Sequence, residues 1–256
     1  MAVTIYWFSG TGNSLYAAKH LASELGETLL FPMTAGVPPE AVGGSGEKLG
    51  FVFPSYYCDL PRIVRSFVEK IKIRDGTYLF TIVTMGGLGQ GSVAALDSAL
   101  KHKNLRLDYG RGILMPANYV VNYNPADKTK IEKKLDKTNS KIKRISLQVK
   151  AGVRSVKKIN FSSDKLYKNI EALDSQYYAE DSCTACGQCA KICPVGNIKI
   201  ENNKPCWLHH CEHCVTCISW CPAKAIQYGE KTKTRRRYQN PKITVNEILG
   251  SSRKFI

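Results

Sequence analysis

The sequence predicts a doubly wound α/β domain followed by a small α+β module rich in cysteine. Three observations predict it. Short apolar runs alternate with stretches of helical spacing through the first half of the 256 residues. Nine of the ten cysteines crowd between positions 183 and 221. A stretch without regular spacing separates the two regions. The expected boundaries are an α/β domain over 1–160, a linker over 161–179, the cysteine module over 180–230 and a basic tail over 231–256.

The strands come first. Residues 3–8, 28–32, 49–54, 77–84 and 111–115 are nearly continuous β-branched and aromatic segments, as in parallel strands buried on both faces. Between them, 14–25, 60–71 and 91–103 have helical length and spacing. Alternating β and α elements imply a parallel sheet with right-handed crossovers and helices on both faces. The interval 34–48 holds Pro38-Pro39 and Gly43-Gly44-Ser45-Gly46, which disfavour a full helix, so a short helix or a loop is expected there. From Lys128 to Lys150, Ile131, Leu135, Ile142, Ile145 and Val149 mark a long basic amphipathic helix, expected to pack on the sheet edge. The last 26 residues are basic, include Pro241 and offer few core positions. They are expected to dock only where a surface is offered.

Composition narrows the class. Hydrophobic residues make up 43% and charged residues 23%, as in ordinary globular proteins. No run approaches the roughly 20 apolar residues of a membrane span. The N-terminus reads as a strand and a turn without a basic leader or cleavage site, so a cytoplasmic protein is expected. In a reducing compartment, crowded cysteines mean metal ligation rather than disulfides. The net charge is +16. Residues 128–168 hold 14 Lys/Arg against three acids, and 231–256 hold eight against one. Such basic surfaces suit an acidic protein partner, an anionic ligand or nucleic acid, or are simply solvated.

The cysteines fall into two identical runs. Cys183-x2-Cys186-x2-Cys189-x3-Cys193-Pro194 is followed by Cys211-x2-Cys214-x2-Cys217-x3-Cys221-Pro222. Two-residue gaps let three thiolates of a tight loop converge on three corners of one cubane, while the fourth, before proline, reaches the neighbouring cluster. Cys183, Cys186, Cys189 and Cys221 are therefore assigned to one [4Fe–4S] cluster. Cys193, Cys211, Cys214 and Cys217 are assigned to the other. A four-thiolate zinc site would instead show two CxxC pairs separated by a longer spacer. Ile198 and Ile226, each five residues past a fourth cysteine, are expected to pack equivalently. The segment resembles the bacterial dicluster ferredoxins over about residues 180–230. It departs from them in the longer interval containing Trp207, His209 and His210, which would shield a cluster or form a docking loop. His209, His210 and His213 are read as loop residues, and Cys58 and Cys206 as small buried hydrophobes.

The first strand ends in Ser9-Gly10-Thr11-Gly12-Asn13-Ser14 and runs straight into a helix. Backbone N–H groups at a helix N-terminus favour an anion, and the glycines allow close approach. The hydroxyls of Ser9, Thr11 and Ser14 and the amide of Asn13 add donors suited to a phosphate monoester. A dinucleotide fingerprint would need glycine where Leu15 stands and an acid ending the second strand, where the sequence reads LLFP. The GxxxxGK[ST] of a P-loop is absent.

This arrangement resembles the flavodoxin family over about residues 1–160. The resemblance implies a five-stranded sheet of order 2-1-3-4-5 and FMN outside the carboxyl ends of the strands. It also implies that Pro54-Ser55-Tyr56-Tyr57 and Thr84-Met85-Gly86-Gly87-Leu88-Gly89 sandwich the isoalloxazine ring. Tyr56 or Tyr57 would stack on the ring, and the backbone around Gly86 and Gly87 would meet its polar edge. The loop containing Asn118 and Tyr119 would close the site. The weak second helix and the absence of an acidic surface depart from the family and put its usual partners in doubt.

Over nearly its full length the chain resembles flavodoxin–ferredoxin fusion proteins of anaerobes. That implies an electron carrier between two [4Fe–4S] clusters and FMN, docking an acidic redox partner through its basic helix and tail. An FMN-dependent reductase of a small organic acceptor, fed by the clusters, is the alternative. A nucleic-acid-binding redox sensor is a third reading, but no recognition motif accompanies the charge.

Overall fold

The computed structural model describes residues 2–87, 89, 91–159 and 171–250. Strands β1 (Val3–Trp7), β2 (Thr28–Pro32), β3 (Lys48–Pro54), β4 (Tyr78–Met85) and β5 (Tyr109–Leu114) form a parallel sheet in the order β2-β1-β3-β4-β5. A sixth strand, β6 (Ser155–Val156), extends it, pairing Tyr109 with Ser155 and Gly110 with Val156. The five-strand expectation is corrected here. Two residues in a basic stretch are too short to show any period, and only the neighbouring edge of β5 makes them a strand.

Helices α1 (Asn13–Leu25) and α4 (Lys128–Lys150) cover one face of the sheet. Helices α2 (Arg62–Lys70) and α3 (Gly91–Lys101) cover the other. The interval between β2 and β3 holds only a 3-10 turn, Met33–Ala35. In α4, Leu135, Ile142, Ile145 and Val149 are buried in the core that α1 shares, so the basic helix is an amphipathic helix with its apolar stripe turned inward. None of the described helices is long and apolar enough to cross a membrane.

The C-terminal module is built on two small antiparallel ribbons. One pairs β7 (Tyr177–Ala179) with β10 (Ile226–Tyr228), and the other pairs β8 (Ile198–Glu201) with β9 (Lys204–Trp207). The β8–β9 turn is Asn202-Asn203, both with positive φ (48° and 60°), the backbone that a two-residue hairpin turn demands. This hairpin is the longer interval between the cysteine runs. Its Trp207 stacks on Tyr177 at 5.5 Å. Ile198 and Ile226 are buried in one cluster, which also takes in Val120 from the α/β domain.

Residues 161–170 of the expected linker lie outside the described residues, whereas Glu171–Gln176 form a 3-10 helix with Asp174 buried. The tail, expected to dock only where a surface is offered, is packed over 231–250. Thr232, Tyr238, Asn240, Ile243 and Ile248 are buried, and the helix Val245–Gly250 lies against the α1 side of the sheet. Spaced apolar residues in a basic stretch do not betray a core until the surface that receives them exists. The arginines of this segment are also engaged internally. Arg235 Nη1 donates to the carbonyls of Val120 (2.7 Å) and Val121 (2.5 Å), Arg236 to Pro125 and Arg237 to Ile226.

Candidate cofactor sites

At the carboxyl ends of β1, β3, β4 and β5 lies a cavity of about 450 Å³. Its floor is the turn after β1. Ser9 Oγ accepts from the N–H groups of Gly12 (3.1 Å) and Ser14 (3.2 Å), which holds the turn in shape at the start of α1. Ser14 Oγ and Thr84 Oγ1 are hydrogen-bonded to each other at 2.7 Å, tying this turn to the end of β4. Asn118 Nδ2 donates to Thr11 Oγ1 at 2.5 Å, so the loop after β5 closes over the same turn. Ser9, Gly10, Thr11, Asn13 and Ser14 all line the cavity.

The loops after β3 and β4 supply its sides, with Pro54, Ser55, Tyr56 and Tyr57 on one and Thr84, Met85, Gly86 and Gly87 on the other. Tyr57 sits at φ 52° and Cys58 at φ 63°, left-handed backbone that non-glycine residues adopt at a cost of about 1–3 kcal/mol and that concentrates at functional sites. Ser92 Oγ bridges the Ser55 hydroxyl (2.7 Å) and the Asp59 carbonyl (2.8 Å), anchoring that loop to α3. Tyr119 lines the cavity from the β5 side, its phenol held protonated by burial and by its contact with Tyr57. The Tyr57 and Tyr119 hydroxyls are 3.0 Å apart.

Three expected contacts differ. Gly12 does not line the cavity; it adopts φ 95°, and a Cβ there would lie 2.9 Å from Asn240 Cβ. Gly89 packs on Met85 and Ser55 instead of facing the cavity. The Asn13 amide is used inside the protein: Nδ2 donates to Pro116 O (3.0 Å), and Oδ1 accepts from Tyr238 Oη (2.5 Å) and Asn240 Nδ2 (3.0 Å). It clasps the tail to the turn and is not left over as a phosphate donor. Leu88 lies outside the described residues.

The remaining wall was not anticipated. His213, Cys214 and Val215 of the second cysteine run line the same cavity. His213 Nδ1 bonds Tyr119 Oη at 2.7 Å, and His213, in a loop as expected, is buried in the cavity wall. The carbonyl of Gly10 accepts from Trp220 Nε1 (2.9 Å) and Thr216 Oγ1 (3.2 Å). A Cβ at Gly10 would come within 2.5 Å of the Cys214 carbonyl oxygen. The glycine therefore admits the cysteine loop to the back of the turn. Asn122 and Tyr123, also on the cavity wall, were missed as well; they follow the Asn118-Tyr119 loop and carry no motif.

The cysteines gather across the two runs. Cys183, Cys186, Cys189 and Cys221 surround one small cavity. Burial pushes the Cys189 thiol up to about 11, and Cys221, Cys186 and Cys183 push the same way. The Cys214 thiol is raised by burial, then by Cys211 and Cys193; Cys217 is raised by burial, then by Cys214, Cys211 and Cys193. Each fourth cysteine thus sits with the other run. Packed thiols of this kind hold their protons until a cation takes their place, which is the condition iron meets. Backbone N–H groups also point at sulfur, from Asn197 to Cys193 Sγ (3.2 Å) and from His213 to Cys211 Sγ (3.3 Å). Such donors suit cluster-bound sulfur. Among the described residues no three His, Cys, Asp or Glu side chains converge on a single-ion point, whereas a cubane needs thiols spaced around a larger core. Glu212, buried beside Cys211, has its carboxyl pushed up to about 7 by burial against the pull of Arg62, whose backbone N–H it accepts at 2.6 Å.

Comparison with known proteins follows this division. Residues 177–199, which include the whole first cysteine run, match the family described as a 4Fe-4S binding domain. No curated protein matches the chain. Among solved structures, a candidate flavoprotein from Bacteroides eggerthii DSM 20697 is 19% identical over 54% of this chain and 97% of its own, with a TM-score of 0.33. A flavodoxin from Streptococcus pneumonia TIGR4 is 12% identical over 57% of this chain and 99% of its own, with a TM-score of 0.35. At such scores the fold assignment stands on this chain's own strand order, the 2-1-3-4-5 arrangement with one added edge strand. The chain joins a flavodoxin-like α/β domain to a module similar to 4Fe–4S binding domains.

Proposed function

We propose that this protein is a cytoplasmic electron carrier that moves electrons between two [4Fe–4S] clusters and one FMN, and between redox partners. One observation carries the reading: the cavity at the carboxyl ends of the strands and the loop bearing Cys211, Cys214 and Cys217 share a wall at His213–Val215. When bound, the flavin takes up two electrons in all and the clusters deliver them singly.

The residues would divide the work as follows. The backbone of Ser9, Gly10, Thr11, Asn13 and Ser14, with the hydroxyls of Ser9, Thr11 and Ser14, holds the terminal phosphate. Tyr56 and Tyr57 flank one side of the ring system, and the exposed backbone of Gly86 and Gly87 meets its polar edge. Cys183, Cys186, Cys189 and Cys221 hold one cluster; Cys193, Cys211, Cys214 and Cys217 hold the other. With both sites in one chain, exchange between them does not wait on an encounter.

Anaerobic purification followed by iron, sulfide and flavin counts tests this. The expected yield is about eight irons and one FMN per chain. Four irons would remove the second cluster from the reading, and colourless protein would remove the reading altogether.

A further inference from the structure

The two cysteine sets stand in different surroundings. Cys211, Cys214 and Cys217 are each only 8% exposed, and their loop touches both the cavity and the Gly10 carbonyl through Thr216 and Trp220. Cys186 is exposed, and Cys183, Cys189 and Cys221 are half-buried around a cavity at the surface. Ile200, on the rim of that cavity, is 36% exposed, and Pro222 beside it is exposed. No residue of this set lines the flavin-sized cavity.

Resting on the proposed function, we infer that the clusters are inequivalent. The Cys183/Cys186/Cys189/Cys221 set is the port at which an acidic one-electron carrier protein docks, and the Cys193/Cys211/Cys214/Cys217 set is an internal relay to the flavin. The carrier gives up one electron at the port, becoming oxidised by one; two such deliveries, with protons from solvent, reduce one flavin fully.

Charge selects the occupant. Lys191, Lys199 and Lys224 are exposed and flank, along the chain, residues near or on the rim of the port: Lys191 closes the helix Gln188–Ile192, Lys199 precedes Ile200, and Lys224 follows Ala223. Glu201 is exposed among them, while Asp181 is paired with Lys204 at 3.2 Å. The balance is cationic, which suits an acidic surface and speeds its encounter. The tail arginines Arg235, Arg236 and Arg237 are committed to carbonyls within the chain, so the tail is a poorer dock than its charge suggests.

The test is stopped-flow reduction of the loaded full-length protein by a reduced, acidic plant-type ferredoxin at low salt, following the flavin band. Reversing the port lysines together (Lys191→Glu, Lys199→Glu, Lys224→Glu) should slow flavin reduction at least about tenfold, with iron, sulfide and flavin contents unchanged. Reversing three exposed lysines of α4 (Lys133→Glu, Lys137→Glu, Lys143→Glu) should change it by less than about twofold. Cys186→Ala, at an exposed position, should slow it at least as much as the port reversal. A rate set by the α4 lysines, or one indifferent to the port lysines and to Cys186, would overturn the port. Protein lacking flavin and iron would instead overturn the proposed function itself, so the two failures are distinguishable.

Discussion

At the scale of single residues, Gly10 and Gly12 have different duties from those their motif suggests. Each leaves room for another part of the same chain. At Gly10 a methyl would meet the backbone oxygen of Cys214 at 2.5 Å, and that oxygen belongs to a loop held against the turn by Thr216 and Trp220. Gly10→Ala should cost about 1–3 kcal/mol of stability through overpacking and lower the flavin content of reconstituted protein. Gly87, exposed and with open space around its Cα, gives the contrast: Gly87→Ala should leave stability within about 0.5 kcal/mol. Denaturant midpoints and flavin counts on the two variants check both. The Ser9–Ser14 turn is legible in the sequence because it is local. The role of Asn13 is not, since its partners Pro116, Tyr238 and Asn240 lie over 100 residues away.

At the scale of elements, α4 ends against the start of β3 through a lysine that is almost wholly buried. Lys48 Nζ donates to the carbonyls of Val149 (2.6 Å) and Lys150 (3.3 Å) and lies 4.5 Å from the centre of the Tyr78 ring. The last carbonyls of a helix are without intrahelical partners and carry the negative end of its dipole, so a cation there is well placed. Lys48→Met keeps the stem and removes the charge; a loss of about 1.5–3 kcal/mol in chemical unfolding is expected. Helix α4 itself was legible to the residue, because five apolar positions repeat at helical spacing over Lys128–Lys150. Strand β6 was not, for want of length. The last helix had a sequence signal that went unread. Thr244-x-x-Glu247 is a capping box, with Thr244 N donating to Glu247 Oε2 (2.7 Å) and Glu247 N to Thr244 Oγ1 (3.3 Å).

At the scale of the whole molecule, carboxylates stitch distant segments together, and their titration gives stability a sign. Hydrogen bonds from Lys19 and from the Thr244 N–H hold the Glu247 carboxyl down to about 2, joining the last helix to α1. Burial raises the Asp97 carboxyl, but Lys158 at 2.7 Å and the Leu107 N–H outweigh it and leave it below its ordinary value. A carboxyl whose folded pKa lies below its unfolded one adds stability that is present above the unfolded value and lost as pH falls toward the folded value. The stability gap between wild type and Glu247→Gln should therefore be full near pH 6 and close between about pH 4.5 and about pH 2, read by far-UV circular dichroism in denaturant. A gap that persists unchanged at pH 2.5 would contradict this.

The sequence by itself determined the alternating strands and helices of a parallel sheet, the two cysteine runs and the glycine-rich turn after the first strand. Each depends on periodicity or spacing within a few tens of residues, and such patterns survive in one dimension. Tertiary structure alone decided that the second cysteine run forms a wall of the cavity at the strand ends, that Thr216 and Trp220 grip the Gly10 carbonyl, and that the basic tail is packed. Those outcomes depend on shape and hydrogen-bond complementarity between surfaces more than 200 positions apart, 210 from Gly10 to Trp220 and 227 from Asn13 to Asn240. No local pattern encodes such a meeting, because neither surface exists until both parts have folded.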